Sequence, residues 1–71
     1  MWQLDVNWNE SEMQSYGVIQ ATSIRQLISI LSKQLEMSDL VYEKDESVKM
    51  PSYVITSPRH PGFYMMAVKY N

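Results

Sequence analysis

His60 is the only imidazole in the chain, and a single imidazole limits what chemistry these residues can do. Metal sites built from several histidines are excluded. A Ser-His-Asp arrangement would have to run through His60, and nine serines and three aspartates supply many formal partners without locating any of them. His60 lies in SPRHPG, between Pro58 and Pro61 and beside Arg59. Prolines fix φ and bias the preceding residues toward extended backbone, so this stretch reads as a rigid, solvent-facing turn delivering a strand. His60 is then a pH-sensitive contact rather than a general base, which would need a partner to orient it. The acidic run Glu43 to Glu46, EKDE, has oxygen ligands for a hard cation but not the D-x-[DN]-x-[DN]-G order of a calcium loop, and it reads as a solvated turn. With only Gly17 and Gly62, no glycine-rich phosphate loop and no G-x-S-x-G nucleophile elbow can be written. Cysteine is absent, which removes thiolate metal sites and disulfides. The expected sets of catalytic, cofactor-binding and metal-binding residues are therefore empty, and no enzyme is expected. A core this small is also not expected to enclose a pocket of several hundred cubic ångströms without a second subunit.

The remaining chemistry is that of surfaces. The last third interleaves Lys49, Arg59 and Lys69 with Tyr53, Phe63, Tyr64 and Tyr70. These residue types stack bases and neutralise phosphates, so single-stranded nucleic-acid binding is the alternative reading. Three cations are few for that task, and the acids from Glu36 to Glu46 would oppose the approach. The segment FYMMAVKY is apolar on both sides of a strand, with Phe63, Met65 and Ala67 on one and Tyr64, Met66, Val68 and Tyr70 on the other. Such a strand is either covered on both faces or offers one of them to another molecule. The candidate partner-binding residues are accordingly Arg59, His60, Tyr64, Met66 and Tyr70.

The elements that must position these residues follow from periodicity. WQLDVNW alternates Trp2, Leu4, Val6 and Trp8 with polar residues, the period of a strand with one buried face. Asn9 to Gly17 reads as a loop or single helical turn, with Asn9 and Glu12 at capping-box spacing, and Tyr16, Val18 and Ile19 as a short second strand. Ser23 and Gln26 have capping-box spacing ahead of Ile24, Leu27, Ile28, Leu31 and Leu35, which fall on one helical stripe. The helix is predicted over roughly 23–37. LVYE, SYVIT and FYMMAVKY are the remaining strands, with Pro51 confined to a strand start or edge because it cannot donate to a ladder. Leu4, Val6, Leu27, Ile28, Leu31 and Val68 are the expected core.

The expected fold is therefore a single α+β domain over residues 1–71, a small mixed sheet with one amphipathic helix on one face, in the order ββαβββ. In element order and spacing it resembles the β-grasp architecture of ubiquitin-like domains, with an N-terminal hairpin, one helix and a last strand beside the first. The chain closes on AVKYN without the di-glycine through which ubiquitin-like modifiers act, so the resemblance implies an architecture and no activity. At 71 residues, apolar burial only narrowly offsets chain entropy, and self-association is an expected source of further stability. No stretch is long and apolar enough for a membrane span, and MWQLDVNWNE lacks the basic start and apolar middle of a signal peptide, so a cytoplasmic protein is expected. The function expected is a non-enzymatic binding module acting on a protein partner or as a homodimer. A small adaptor, an inhibitor or a phage-type host-modulating protein has this size and composition.

Overall fold

A computed structural model describes residues 1–8 and 12–70. The strands are β1 (Trp2–Trp8), β2 (Gln14–Ile19), β3 (Val41–Lys44), β4 (Ser52–Thr56) and β5 (Phe63–Lys69), with one helix, α1 (Ile24–Leu35), between β2 and β3. They form one five-stranded sheet in the order β2-β1-β5-β4-β3. The hairpin, the helix and the last strand beside the first are present, but that last strand runs antiparallel to the first, so the likeness to the β-grasp is one of element order only. The sheet is not mixed, however: all four ladders are antiparallel. The reason lies in the connections. After β2 the helix carries the chain back along the sheet, so β3 runs as β2 does; two successive hairpins then reverse direction twice, and β5 reaches β1 antiparallel to it. Residues 9–11, where the capping pair Asn9 and Glu12 was expected to shape a turn, lie outside the described set.

The helix begins as its sequence requires. Ser23 is the N-cap, its Oγ accepting from the Gln26 N–H at 3.1 Å. The Gln26 side chain reaches back one residue further than in a standard capping box and accepts from the Thr22 N–H at 2.6 Å. The helix ends at Leu35, two residues short of the predicted Met37, with Glu36 as its C-cap in the left-handed region at φ 55°. Leu27 and Leu31 are fully buried against the sheet, with Ile24, Ile28, Ile30 and Leu35 packed around them.

Cross-strand partners share a face, which fixes the core. Trp2, Leu4 and Val6 of β1, Phe63, Met65 and Ala67 of β5 and Ile55 of β4 lie beneath the helix. Trp2 is 2% exposed and donates its indole N–H to the Ala21 carbonyl at 3.3 Å, so its one polar group is satisfied. Val68 is not part of this core. It pairs with Gln3 and Ser52 on the opposite face and is only half-buried, because β5 turns its odd-numbered residues inward. Ile28 is likewise half-buried at the margin of the helix stripe.

A β-bulge breaks the β1–β2 ladder between Leu4 and Asp5, leaving Tyr16 without an opposing residue. The extra residue re-aims Tyr16 toward the helix side, where it packs against the core and donates its hydroxyl to Gln34 Oε1 at 2.9 Å. Gly17 follows it at φ 139°, a backbone angle that side chains rarely adopt. Among the described residues, no helix is long and apolar enough to cross a membrane.

Candidate functional site

The face of the sheet turned away from the helix is assembled in three rows by the ladder registers. Val18, Gln3, Val68 and Ser52 form one; Ser15, Asp5, Met66, Val54 and Glu43 the next; Asn7, Tyr64, Thr56 and Val41 the third. At their centre, Tyr64, Met66 and Val68 run down β5, with Val54 beside Met66. Tyr64 is 38% exposed, and Met66, Val68 and Val54 are half-buried. An antiparallel sheet solvated on one side ordinarily presents polar residues there. Asp5, Gln3 and Asn7 on β1 follow that rule, and β5 does not.

The connection from β3 to β4, residues 45–51, bounds one end of this face. It opens with Asp45, whose carboxylate accepts from the Ser47 hydroxyl and N–H; these bonds hold its pKa below the ordinary value. Residues 46–51 are all exposed. Between this loop and β5 lies a pocket of about 460 Å³, lined by Val48, Lys49, Met50, Ser52, Met66 and Val68. It is a half-open hollow rather than an enclosed cavity. The pocket is made outside the core, by a loop bounding the sheet's uncovered face, and needs no second subunit.

The stretch SPRHPG forms the β4–β5 turn at the other end. His60 N–H donates to the Ser57 carbonyl at 3.0 Å and Phe63 N–H to the His60 carbonyl at 2.9 Å, two consecutive turns with a proline in each. Asp39, from the segment between helix and β3, pins this loop: its carboxylate accepts from the Arg59 N–H at 2.8 Å and from the Ser57 hydroxyl, also at 2.8 Å. These bonds, the Arg59 N–H foremost, hold the Asp39 carboxyl below its ordinary pKa.

Ser57, His60 and Asp39 therefore do meet, but in the wrong order for activating a nucleophile. Ser57, 3% exposed, sits in the middle, with His60 Nδ1 2.8 Å from its Oγ. A serine has one proton, and here it points to the carboxylate, so Nδ1–H must donate to Oγ. General-base activation requires the hydroxyl proton to point to the imidazole, with the carboxylate behind it. The trio fastens a loop. Among the described residues, no group of three or more His, Asp or Glu side chains could hold a metal ion.

Of the expected binding residues, Tyr64 and Met66 share the uncovered face as alternate residues of β5. Arg59 and His60 are exposed in the turn at the Tyr64 end. Tyr70, 42% exposed, lies one residue past β5, about 20 Å along the chain from Tyr64 at some 3.3 Å per residue. The five do not form one cluster. Val68, placed on the side of Tyr64 and Met66 by the alternation of β5 although also counted in the expected core, belongs with them; Val54, Ser52 and the loop residues Val48 and Met50 do too and were not expected there. Nothing local indicates where the 45–51 loop lies. No protein-family model matches this chain, and no curated protein or solved structure is significantly similar to it.

Proposed function

We propose that this chain is a non-enzymatic binding module that holds another protein against the uncovered face of its sheet, as a small adaptor, an inhibitor or a phage-type modulator of a host protein would. The observation that carries this reading is the row Tyr64, Met66, Val68 on β5, flanked by Val54 and left without cover by α1. Apolar side chains contiguous on one face gain about 25 cal/mol for each Å² removed from water, and methionine adapts its shape to what covers it. A second copy of the chain is one protein that could supply the cover.

Nucleic acid is the weaker reading. Its three cations are dispersed: Lys49 stands in the β3–β4 loop, Arg59 in the β4–β5 turn, and Lys69 on the helix side, its ammonium 6.0 Å from the centre of the Trp2 ring. A strand of phosphates would meet no continuous basic track.

The test is capture from the native host on immobilised protein, repeated after nuclease treatment and with Met66→Lys. The expected result is a protein retained by the parent with or without nuclease and lost by Met66→Lys. Light scattering on the parent alone reports whether the retained protein is the chain itself. Nuclease-sensitive recovery, or recovery unaffected by Met66→Lys, would contradict the proposal.

A further inference from the structure

The sheet sorts the charges of its strands by face. Four strand residues are charged: Asp5 on β1, Glu43 and Lys44 on β3, and Lys69 on β5. The registers put both acids on the uncovered face, Asp5 opposite Met66 and Glu43 opposite Val54, which itself pairs with Met66. Both lysines lie on the helix side, Lys69 opposite Trp2 and Lys44 opposite Tyr53, which itself pairs with Ala67 of the core. The uncovered face is thus an apolar seam, Tyr64, Met66 and Val68 with Val54, bordered by one carboxylate on each flank. Neither carboxylate has a hydrogen-bond or ion-pair partner among the described residues, although Asp5 is half-buried. A carboxylate partly withdrawn from water and unpaired is stabilised by a cation brought beside it.

We propose that the partner presents to this face an amphipathic α-helix with an apolar stripe and Lys or Arg along both sides of it, giving the sheet a second helical layer opposite α1. This names the partner's chemistry for the protein-binding reading and rests on that reading. The dimensions select a helix. From β1 to β3, across β5 and β4, is three strand spacings, or about 14 Å. A helix with its side chains is about 10 to 12 Å across, so one seated on Met66 and Val54 has Asp5 on one flank and Glu43 on the other, each in reach of a long cationic side chain. An extended segment on the same seam directs alternate side chains into and away from the sheet and sends none sideways to the two acids. The half-open hollow at the loop end, its wall formed by Val48, Met50, Met66 and Val68, receives one large apolar side chain from the end of the stripe. A second copy laid face to face would set these acids against an equally acidic seam, with no strand lysine on that face to answer them.

The experiment labels the methionine methyl groups with ¹³C and titrates the protein at neutral pH with three synthetic peptides of about 18 residues, long enough to be helical in water. All three carry the same leucine stripe ending in one tryptophan; their polar sides are lysine in the first, glutamate in the second and glutamine in the third. A fourth peptide has the composition of the first with the stripe scrambled. Saturable shifts at Met66 and Met50 are expected with the lysine peptide, while the buried Met65 and Met37 stay in place. The lysine peptide should bind about tenfold more tightly than the glutamate one, with the glutamine peptide between them, and the preference should shrink as salt is raised. The scrambled peptide should bind weakly. Asp5→Asn combined with Glu43→Gln, two substitutions of similar shape on the solvent side of the sheet, should leave the denaturation midpoint near the parent's and erase the preference for lysine over glutamate. Equal binding of the lysine and glutamate peptides, equal binding of the scrambled one, or a lysine preference intact in the double variant would overturn the proposal. Capture from the host separates it from the reading beneath it. A protein lost by Met66→Lys, with no saturable shift from the lysine peptide, overturns the basic helix alone, whereas a retained protein indifferent to Met66→Lys overturns both.

Discussion

Met65 and Met66 are consecutive residues of one strand with opposite fates. Met65 is fully buried between Val6 and Ile55 under the helix, whereas Met66 lies between Asp5 and Val54 on the face that α1 leaves uncovered. The two faces of the sheet differ in what is laid over them more than in what β5 contributes. Its three inward residues, Phe63, Met65 and Ala67, and its three outward ones, Tyr64, Met66 and Val68, are all apolar or aromatic. One helix can bury one face, so the same strand serves as core on one side and as a contact surface on the other.

The largest expected effect comes from breaking the covered face. Leu31→Ala removes a fully buried side chain and should cost about 2 to 5 kcal/mol, enough to unfold much of so small a domain. Chemical denaturation reads this directly. A midpoint equal to the parent's would mean the helix does not seal that face.

A smaller effect, confined to acid, is expected where the β4–β5 turn is fastened. The Asp39 carboxyl is held below its ordinary pKa by the Arg59 N–H and the Ser57 hydroxyl. Its contribution to stability is therefore present above the unfolded value and is lost as pH falls from about 4 through the lowered folded value. Asp39→Asn should flatten that part of the stability–pH curve. An unchanged acid limb would show that the pin on Ser57 and Arg59 does not contribute to folding.

The smallest effect on stability should come from the uncovered face. Met66→Lys puts a charge on a half-exposed position beside Asp5, and should shift stability by no more than about 0.5 kcal/mol. If it destabilises as Leu31→Ala does, the outer face is a second core and the contrast between the faces fails.

Much of this architecture is legible in the sequence because local rules agree. The alternation in WQLDVNW gives β1 to the residue, SYVIT behind Pro51 gives β4, and Ser23 with the Ile and Leu stripe gives the helix. The direction of β5 relative to β1 was not legible, since it depends on how many times the chain reverses before reaching β5. The bulge at Tyr16 was hidden for a related reason: one extra residue moves a side chain to the other face, and only Gly17 marks the spot. At the site, the two-sided apolar character of β5 identified Tyr64 and Met66. The pocket was missed because its walls come from residues 48–52 and 66–68, brought together by a loop whose path no local pattern specifies.

The most direct test of the claim that the uncovered face is the contact face uses the two neighbouring methionines as opposed reporters. With methionine methyl groups ¹³C-labelled, the protein retained in the capture experiment, or a rising concentration of the chain itself, is titrated in. The Met66 resonance is expected to shift or broaden while those of Met65 and Met37, both buried in the core, stay in place. Movement at Met13 on the β2 side, or at Met37, with Met66 unchanged would contradict it.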